Sequence, residues 1–516
     1  MRRIALLLLA ASFAASLRAA GPQLSDGDAR EYIARFNAAD NEDIATTIPN
    51  SVAADWIIAQ APLFDCPKAI FEEIYYYRWW TFRKHVKETP LGRVITEFIA
   101  PVSHAGPHNT IACAVGHHLV EGRWLRDRAL LDEYATFWLR SGPNGGPAPH
   151  FHKFSGWFAA ALYQRALATG DFSLPLELLD ELVADYRLWE AERLTPAGLF
   201  WQYDVRDGME ESISGSRTEQ NLRPTINSYM AANAAAIAEF AERASRPELA
   251  AEFSAKSNDL RSRFHRTLWD EQAQFFKVRR ANGQFSDARE AIGFIPWMFN
   301  LAEPRHAVAW RQLRDPAGFW APRGLTTAER RHPQFRTHGV GTCEWDGAVW
   351  PFATSQTLTG LANLLRGPEQ EFVTREEYFE TLKTYANAHT RDGATYLGEY
   401  HDETTGEWLI PEPKAQRSRY YNHSTFNDLV ITGLVGLVPQ SDDTVVIDPL
   451  LPAGTWDYFC LTDLPYHGRQ LTIVWDRTGE RYRHGAGLAV WANGSRLGQR
   501  SNLGRLEAPL PNTYTN

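Results

Sequence analysis

Three stretches of this 516-residue chain gather side chains able to move protons or to grip a hydroxylated ring. Residues 201–215 place Asp204, Asp207, Glu210 and Glu211 beside Trp201 and Tyr203. Crowded carboxylates repel one another, and apolar neighbours raise the pKa of one of them. A carboxyl that keeps its proton near neutral pH is a general acid. The same stretch also reads as a solvated acidic loop, or as caps for the next helix. Residues 344–351, Glu-Trp-Asp-Gly-Ala-Val-Trp-Pro, set Trp345 and Trp350 around Asp346. Sugars stack their C–H faces on indoles and offer hydroxyls to carboxylates, so this is a sugar-binding combination; the plainer reading is a core Trp pair at a helix start. Residues 396–408 carry Glu399 between aromatics, followed by Tyr400, His401 and the turn Thr404-Thr-Gly. A carboxylate facing the first cluster would suit activation of a water, although an ordinary acidic turn has the same composition.

The elements that must position these loops are helical. From about Arg78 to Val438 apolar residues recur at helical spacing in paired segments separated by Gly and Pro. The couples are 108–122 with 126–141, 153–169 with 174–193, 225–243 with 247–268, and 350–366 with 374–390. A weaker one surrounds 291–314, and 424–437 has 69–86 as its possible upstream mate. Six hairpins with no alternating strands exclude a doubly wound α/β sheet. One member of most couples is apolar nearly all round and the other is charged on one face, which predicts two concentric layers, an (α/α)6 toroid. After Gln440 the runs Val445-Val-Ile, Leu471-Thr-Ile-Val-Trp and Gly487-Leu-Ala-Val-Trp, with Asn493-Gly494 as a turn, predict a small all-β domain. The expected division is a signal peptide at 1–20, an N-terminal extension at 21–89, a barrel at 90–440 and the β-domain at 441–516.

Composition narrows the partners. The apolar fraction is 44% and the aromatic fraction 12%, with eighteen Trp, so a large core is available. Residues 1–20 read as a secretory signal, with Arg2 and Arg3 before an apolar run and Ala19-Ala20 before the cut. That run falls short of the ~20 residues that span a bilayer. The expectation is a periplasmic or secreted protein with no membrane insertion after signal removal. Removing Arg2, Arg3 and Arg18 from the 53 basic residues leaves 50 against 62 acidic, a net −12, which argues against nucleic-acid binding. Cys66, Cys113, Cys343 and Cys460 have no ligand spacing, so no metal site is expected, and buried free thiols or a disulfide remain open. No GxSxG elbow, Walker loop or dinucleotide fingerprint occurs. His104 and other scattered histidines, with Arg78 and Lys153, could hold an anionic substrate group.

Taken together the three loops resemble those of the (α/α)6-barrel glycosidases related to mannosylglycerate hydrolase and processing α-glucosidase I. Asp207-Gly-Met-Glu-Glu-Ser is similar to the family's acid loop and implies Glu210 as general acid, with Glu211 or Asp207 as substitutes because Glu stands where the family has Asp. Trp345-Asp-Gly-Ala-Val-Trp-Pro resembles the sugar-binding stretch, with Asp346 in place of Arg. Glu399-Tyr-His-Asp-Glu-Thr-Thr-Gly resembles the base motif and implies Glu399 as general base. The resemblance covers roughly residues 90–440 and implies an inverting glycoside hydrolase, acting on an oligosaccharide or small glycoside without a cofactor.

The expected substrate contacts are Trp201, Tyr203, Asp207, Trp345, Asp346, Trp350, Tyr400 and His401. The alternatives are a polysaccharide lyase on a helical toroid, which needs a Tyr/His/Arg set and a uronic acid, and a non-catalytic carbohydrate-binding protein. Sugar, linkage, anomer and oligomeric state stay undetermined by the sequence.

Overall fold

Helices Pro224–Arg243 and Pro247–Leu268 show how the sequence builds one unit of the architecture. Both open with Pro in the first turn, where a missing N–H costs nothing. The first is buried almost throughout from Pro224 to Ala241. The second buries a single stripe, Phe253, Leu260, Phe264 and Leu268, against it and leaves its charged face in solvent. One is an inner helix and the other an outer helix, as their patterns predict.

The computed structural model describes residues 21–511; the signal segment expected at 1–20 lies outside them. Five more pairs repeat the arrangement around a ring. They are Val115–Gly122 with Arg128–Arg140, Phe158–Thr169 with Leu179–Arg193, and Pro351–Arg366 with Arg375–Asn387. The weak pair is a 3-10 and α segment, Ala291–Met298, beside the 3-10 helix Pro304–Gln312. The ring closes between the π-helical segment Leu429–Val435 and the helix Ala69–Lys84. Phe71 of that helix stacks on Phe379 at 5.7 Å, and Arg78 donates to Tyr385 Oη at 2.9 Å and to the Ser424 carbonyl at 2.5 Å. Arg78 is thus a tie within the ring wall. Thr374 and Glu377 cap the helix Arg375–Asn387 reciprocally.

Two features reach across the boundary expected at residue 89. Helix Ala69–Lys84 supplies the sixth outer helix, under cover of the helix Gly27–Ala39. Strand Leu63–Asp65 pairs antiparallel with Tyr458–Tyr466 and forms the edge of the C-terminal five-stranded sheet. Hydrophobic periodicity could not reveal this, because a three-residue strand has too few positions to alternate. The sheet continues through Arg469–Asp476, Gly487–Ala492 and Ser495–Arg500, with Asn493 and Gly494, both at positive φ, turning the last hairpin. A three-stranded sheet, Leu437–Val438, Thr444–Ile447 and Leu506–Pro509, lies beside it. Among the described residues no helix is long and apolar enough to cross a membrane.

Chain direction sets where chemistry can occur. Inner and outer helices alternate, so every segment leaving an outer helix and entering the next inner one emerges at the same end of the ring. Residues 85–114, 194–223, 313–350 and 388–428 are such segments, and they are the long ones. They hold all three stretches singled out above, and they sit over the N-termini of inner helices, where helix dipoles favour negative charge.

Candidate active site

These loops enclose a cavity of about 350 Å³ lined by Glu97, Glu210 and Glu399, with Trp345, Trp350 and Phe352 on one wall. The structure therefore brings together the two carboxylates separated by nearly two hundred residues of sequence, and adds a third.

In the acid loop, backbone conformation sorts the competing carboxylates. Asp207 is buried against Arg223, with Oδ2 accepting from Nε at 2.6 Å and neither side chain exposed. Glu211 takes a positive φ of 63° and turns outward to Arg217 at 2.6 Å. Asp204 turns back on its own loop, where Oδ1 accepts from the Val205 amide at 2.7 Å. Glu210 alone among the four lines the cavity. It opens to the cavity but is ringed by protein, and desolvation pushes its carboxyl up to about 7, helped by the charges of Asp204 and Glu211.

Glu399 reaches the same cavity from another loop. It is buried, accepts from Ser418 Oγ at 3.2 Å, and is pushed up to about 8, first by burial and then by the charges of Glu97 and Glu210. Glu97 was not anticipated from the sequence. It accepts from Tyr421 Oη at 2.6 Å and from Cys113 Sγ at 3.5 Å, and burial raises it to about 7. Three carboxyls around one cavity titrate as a set, so the protons belong to the group rather than to one residue.

The aromatic wall is a stack. Trp345 and Trp350 lie 4.5 Å apart between ring centroids at 22°, and Trp350 and Tyr400 lie 4.4 Å apart at 14°. Paired backbone bonds of 3.0 Å between Val349 and His401 clamp the second and third loops together. The Trp345 amide donates to the Glu210 carbonyl at 3.4 Å, tying in the acid loop. Trp345 and Trp350 line the cavity, whereas Tyr400 stacks on Trp350 without lining it, its Oη accepting from the Cys343 amide at 3.1 Å.

The remaining expected contacts lie elsewhere. Asp346 is fully buried, and its Oδ2 accepts from the Thr337 amide at 2.7 Å, the His338 amide at 3.0 Å and His338 Nδ1 at 2.9 Å. It anchors the loop that bears Gly341 and Cys343 on the cavity wall. Gly347 beside it has φ +151°, and a Cβ there would meet the Phe335 ring at 2.4 Å. Trp201 and Tyr203 pack edge to face at 5.0 Å, with Arg193 over the indole at 4.3 Å. His401 is buried against the Asp402 carbonyl. Trp201, Tyr203, Asp207, Asp346, Tyr400 and His401, expected as direct contacts, are not among the residues lining this cavity, and composition could not show which way each side chain turns. His104 and Lys153 do line the cavity, joined by Arg206, Lys414 and Arg417. All four cysteines are free thiols, and no cluster of potential metal ligands occurs among the described residues.

A six-hairpin ring with two loop carboxylates lining one cavity is the arrangement of the (α/α)6 glycosidases. Residues 107–424 match the mannosylglycerate hydrolase MGH1-like glycoside hydrolase domain, and the chain belongs to that family. Residues 439–498 match the C-terminal domain of glycosyl hydrolase family 65. A solved structure titled sialidase is 47% identical with a TM-score of 0.92, covering 94% of this chain and 45% of its own. The chain thus spans less than half the length of that relative. The family 63 mannosylglycerate hydrolase of Thermus thermophilus with Tris and D-glycerate is 14% identical at TM-score 0.51, covering 69% of this chain and 98% of that one. The GH78 rhamnosidase of Bacillus sp. GL1 is also 14% identical, at TM-score 0.60 over 81% of this chain and 40% of that one. These two share the fold.

Proposed function

We propose that this glycosidase is exported and cleaves its glycosidic bond with inversion, using Glu210 as general acid and Glu399 as general base. The observation that carries the assignment is the convergence of these two carboxyls, from loops entering different inner helices, on one cavity that each reaches without an ion-paired partner. Glu210 protonates the departing oxygen. Glu399 takes a proton from a water that attacks the opposite face of the sugar, and no group beyond the two carboxyls is required. Trp345 and Trp350, stacked on each other, form one wall against which the sugar ring lies.

A small, walled cavity favours removal of a terminal sugar over cleavage within a long chain. The sialidase title of the 47%-identical structure supports a glycan end as the target. Export rests on the apolar segment after Arg2 and Arg3. The test is a screen of defined oligosaccharides read by released monosaccharide, with wild type beside Glu210→Gln and Glu399→Gln. Release by wild type that both variants lose is the expected result. An unsaturated product absorbing in the near ultraviolet would instead select a lyase.

A further inference from the structure

A second cavity lies on the ring axis, toward the end opposite the catalytic loops. Five of the six inner helices line it, and Val120, Leu167 and Arg366 on its wall belong to the C-terminal turns of theirs. The exposed Asn300 stands at its rim. The wall runs along one helix from Ser355 to Arg366, a depth of ~16 Å at about 1.5 Å per residue. Its volume is about 160 Å³, an order of magnitude above the ~10–15 Å³ that one ordered water requires. His117 is at the inner end, its ring 4.4 Å from that of Phe352, which lines the catalytic cavity. The two cavities stand back to back across this pair of rings.

An inner helix is ordinarily apolar on all sides, and Pro351–Arg366 departs from that rule. Ser355, Gln356, Thr359 and Asn363 recur at helical spacing and turn one polar stripe to the axial cavity. Gln356 gives Nε2 to Tyr229 Oη at 2.6 Å, and its amide oxygen remains an acceptor. His117 is 1% exposed, and among the described residues neither of its ring nitrogens has a hydrogen-bond partner. Burial pushes it down to about 3, so the ring is neutral and offers one donor and one acceptor. Polar groups buried this way are costly unless something bonds to them. The charges on the wall are already engaged. Arg123 forks onto Asp428 Oδ1 at 3.0 and 2.8 Å, and Arg366 donates to the Asp448 carbonyl at 2.8 Å. Much of the remaining wall, including Leu167, Met298, Ala362 and Leu437, is apolar.

We infer that this axial cavity is a second binding site, for a neutral polyol or monosaccharide of three to six carbons. Water satisfies the polar stripe but is poorly held along the apolar wall. A molecule with hydroxyls on one edge and C–H groups on the other uses both, and gains by displacing that loosely held water. The site goes beyond the glycosidase reading and does not depend on which carboxyl is the acid.

The test is calorimetry and ligand-detected NMR on the full chain. The neutral probes are glycerol, erythritol, glucose, mannose and galactose, and the anionic ones are glycerol phosphate and glucuronate. At least one neutral probe should bind with a Kd on the order of 1 mM, within reach of a ligand of about six to twelve heavy atoms. Thr359→Met fills the cavity from its half-buried wall, and His117→Phe removes the hydrogen bonding at its inner end. Each should weaken that probe by roughly 10-fold or more, as for lost hydrogen bonds and lost space. Thr359→Met should leave glycoside turnover within about threefold, because Thr359 lies on the axial cavity and not on the catalytic one. Melting curves check that both variants fold, and Thr359→Met decides the matter where His117→Phe melts early. A probe seated in the catalytic cavity would instead inhibit turnover competitively and bind both variants as it binds wild type. That result, binding by no neutral probe, or anionic probes held as tightly through the same two positions would each overturn the inference.

Discussion

Asp207 and Arg223 meet at 2.6 Å with neither side chain exposed, so the acid loop is pinned to the start of the inner helix three residues before Glu210. Breaking a buried pair by removing one partner leaves an uncompensated charge and costs about 3–5 kcal/mol. Asp207→Ala should therefore lower the melting temperature sharply, with activity lost through unfolding. Glu210→Gln should melt like wild type and lose ~10²–10⁴-fold in turnover on substrates with poor leaving groups, and less on an activated aryl glycoside. Glu211→Gln should stay near normal, because that side chain is turned to Arg217. A dead Glu211→Gln beside an active Glu210→Gln would reassign the acid.

The aromatic stack makes a different division. Trp350 is sandwiched between Trp345 and Tyr400, and its Nε1 donates to the Glu344 carbonyl at 3.2 Å, so it bears on both packing and the sugar. Trp350→Ala should cost ~3–5 kcal/mol of stability, as for other large buried rings, and lower kcat as well. Trp345 closes one end of the stack beside the acid loop. Trp345→Phe should keep the fold and raise KM, since a smaller ring covers less of the sugar. Melts and kinetics recorded on the same preparations separate the two effects.

Much of this arrangement was legible in the sequence. Helical periodicity and Pro and Gly punctuation gave the six hairpins, because inner helices must be apolar on all sides. The two distant carboxylates could be paired because both loops enter inner helices. Glu97 was overlooked in Val94-Ile-Thr-Glu-Phe-Ile, where a lone acid in an apolar run is itself a sign of burial with partners. Asp346 read as a sugar contact because it stands between two Trp, yet the backbone turn at Gly347 sends it to the amides of 337 and 338.

The carboxyl triad sets the pH response. Glu97, Glu210 and Glu399 are raised to about 7, 7 and 8, above the ordinary 4.5, because burial disfavours their charged forms. The folded state then binds more protons than the unfolded chain between about pH 4.5 and 8, so stability falls as pH rises through that window. Glu97→Gln removes one of these groups and should flatten the fall of melting temperature with pH. It also removes a negative charge beside Glu399. That lets the base ionise more readily, so the acid limb of kcat/KM should move to lower pH. A limb that stays put or moves upward would separate Glu97 from the base.

Stereochemistry tests the base most directly. Glu399 lines the same cavity as Glu210, with Ser418 steadying one of its oxygens. In an inverting enzyme the two carboxyl groups stand ~6.5–9.5 Å apart, and the water between them attacks the face opposite the departing group. In a retaining one they close to roughly 5–5.5 Å, and the second carboxylate bonds to the sugar. Proton NMR of the first-formed product should therefore show the anomeric configuration opposite to the substrate's, before mutarotation mixes the two. Glu399→Ala should abolish release, because nothing then removes the proton from the water. Azide should not restore turnover with net retention, since no covalent intermediate awaits a nucleophile. A fresh product with the substrate's own configuration would falsify both the inversion and the base role, and would leave Glu399, or Tyr421 held by Glu97 at 2.6 Å, as the group to examine for a covalent bond.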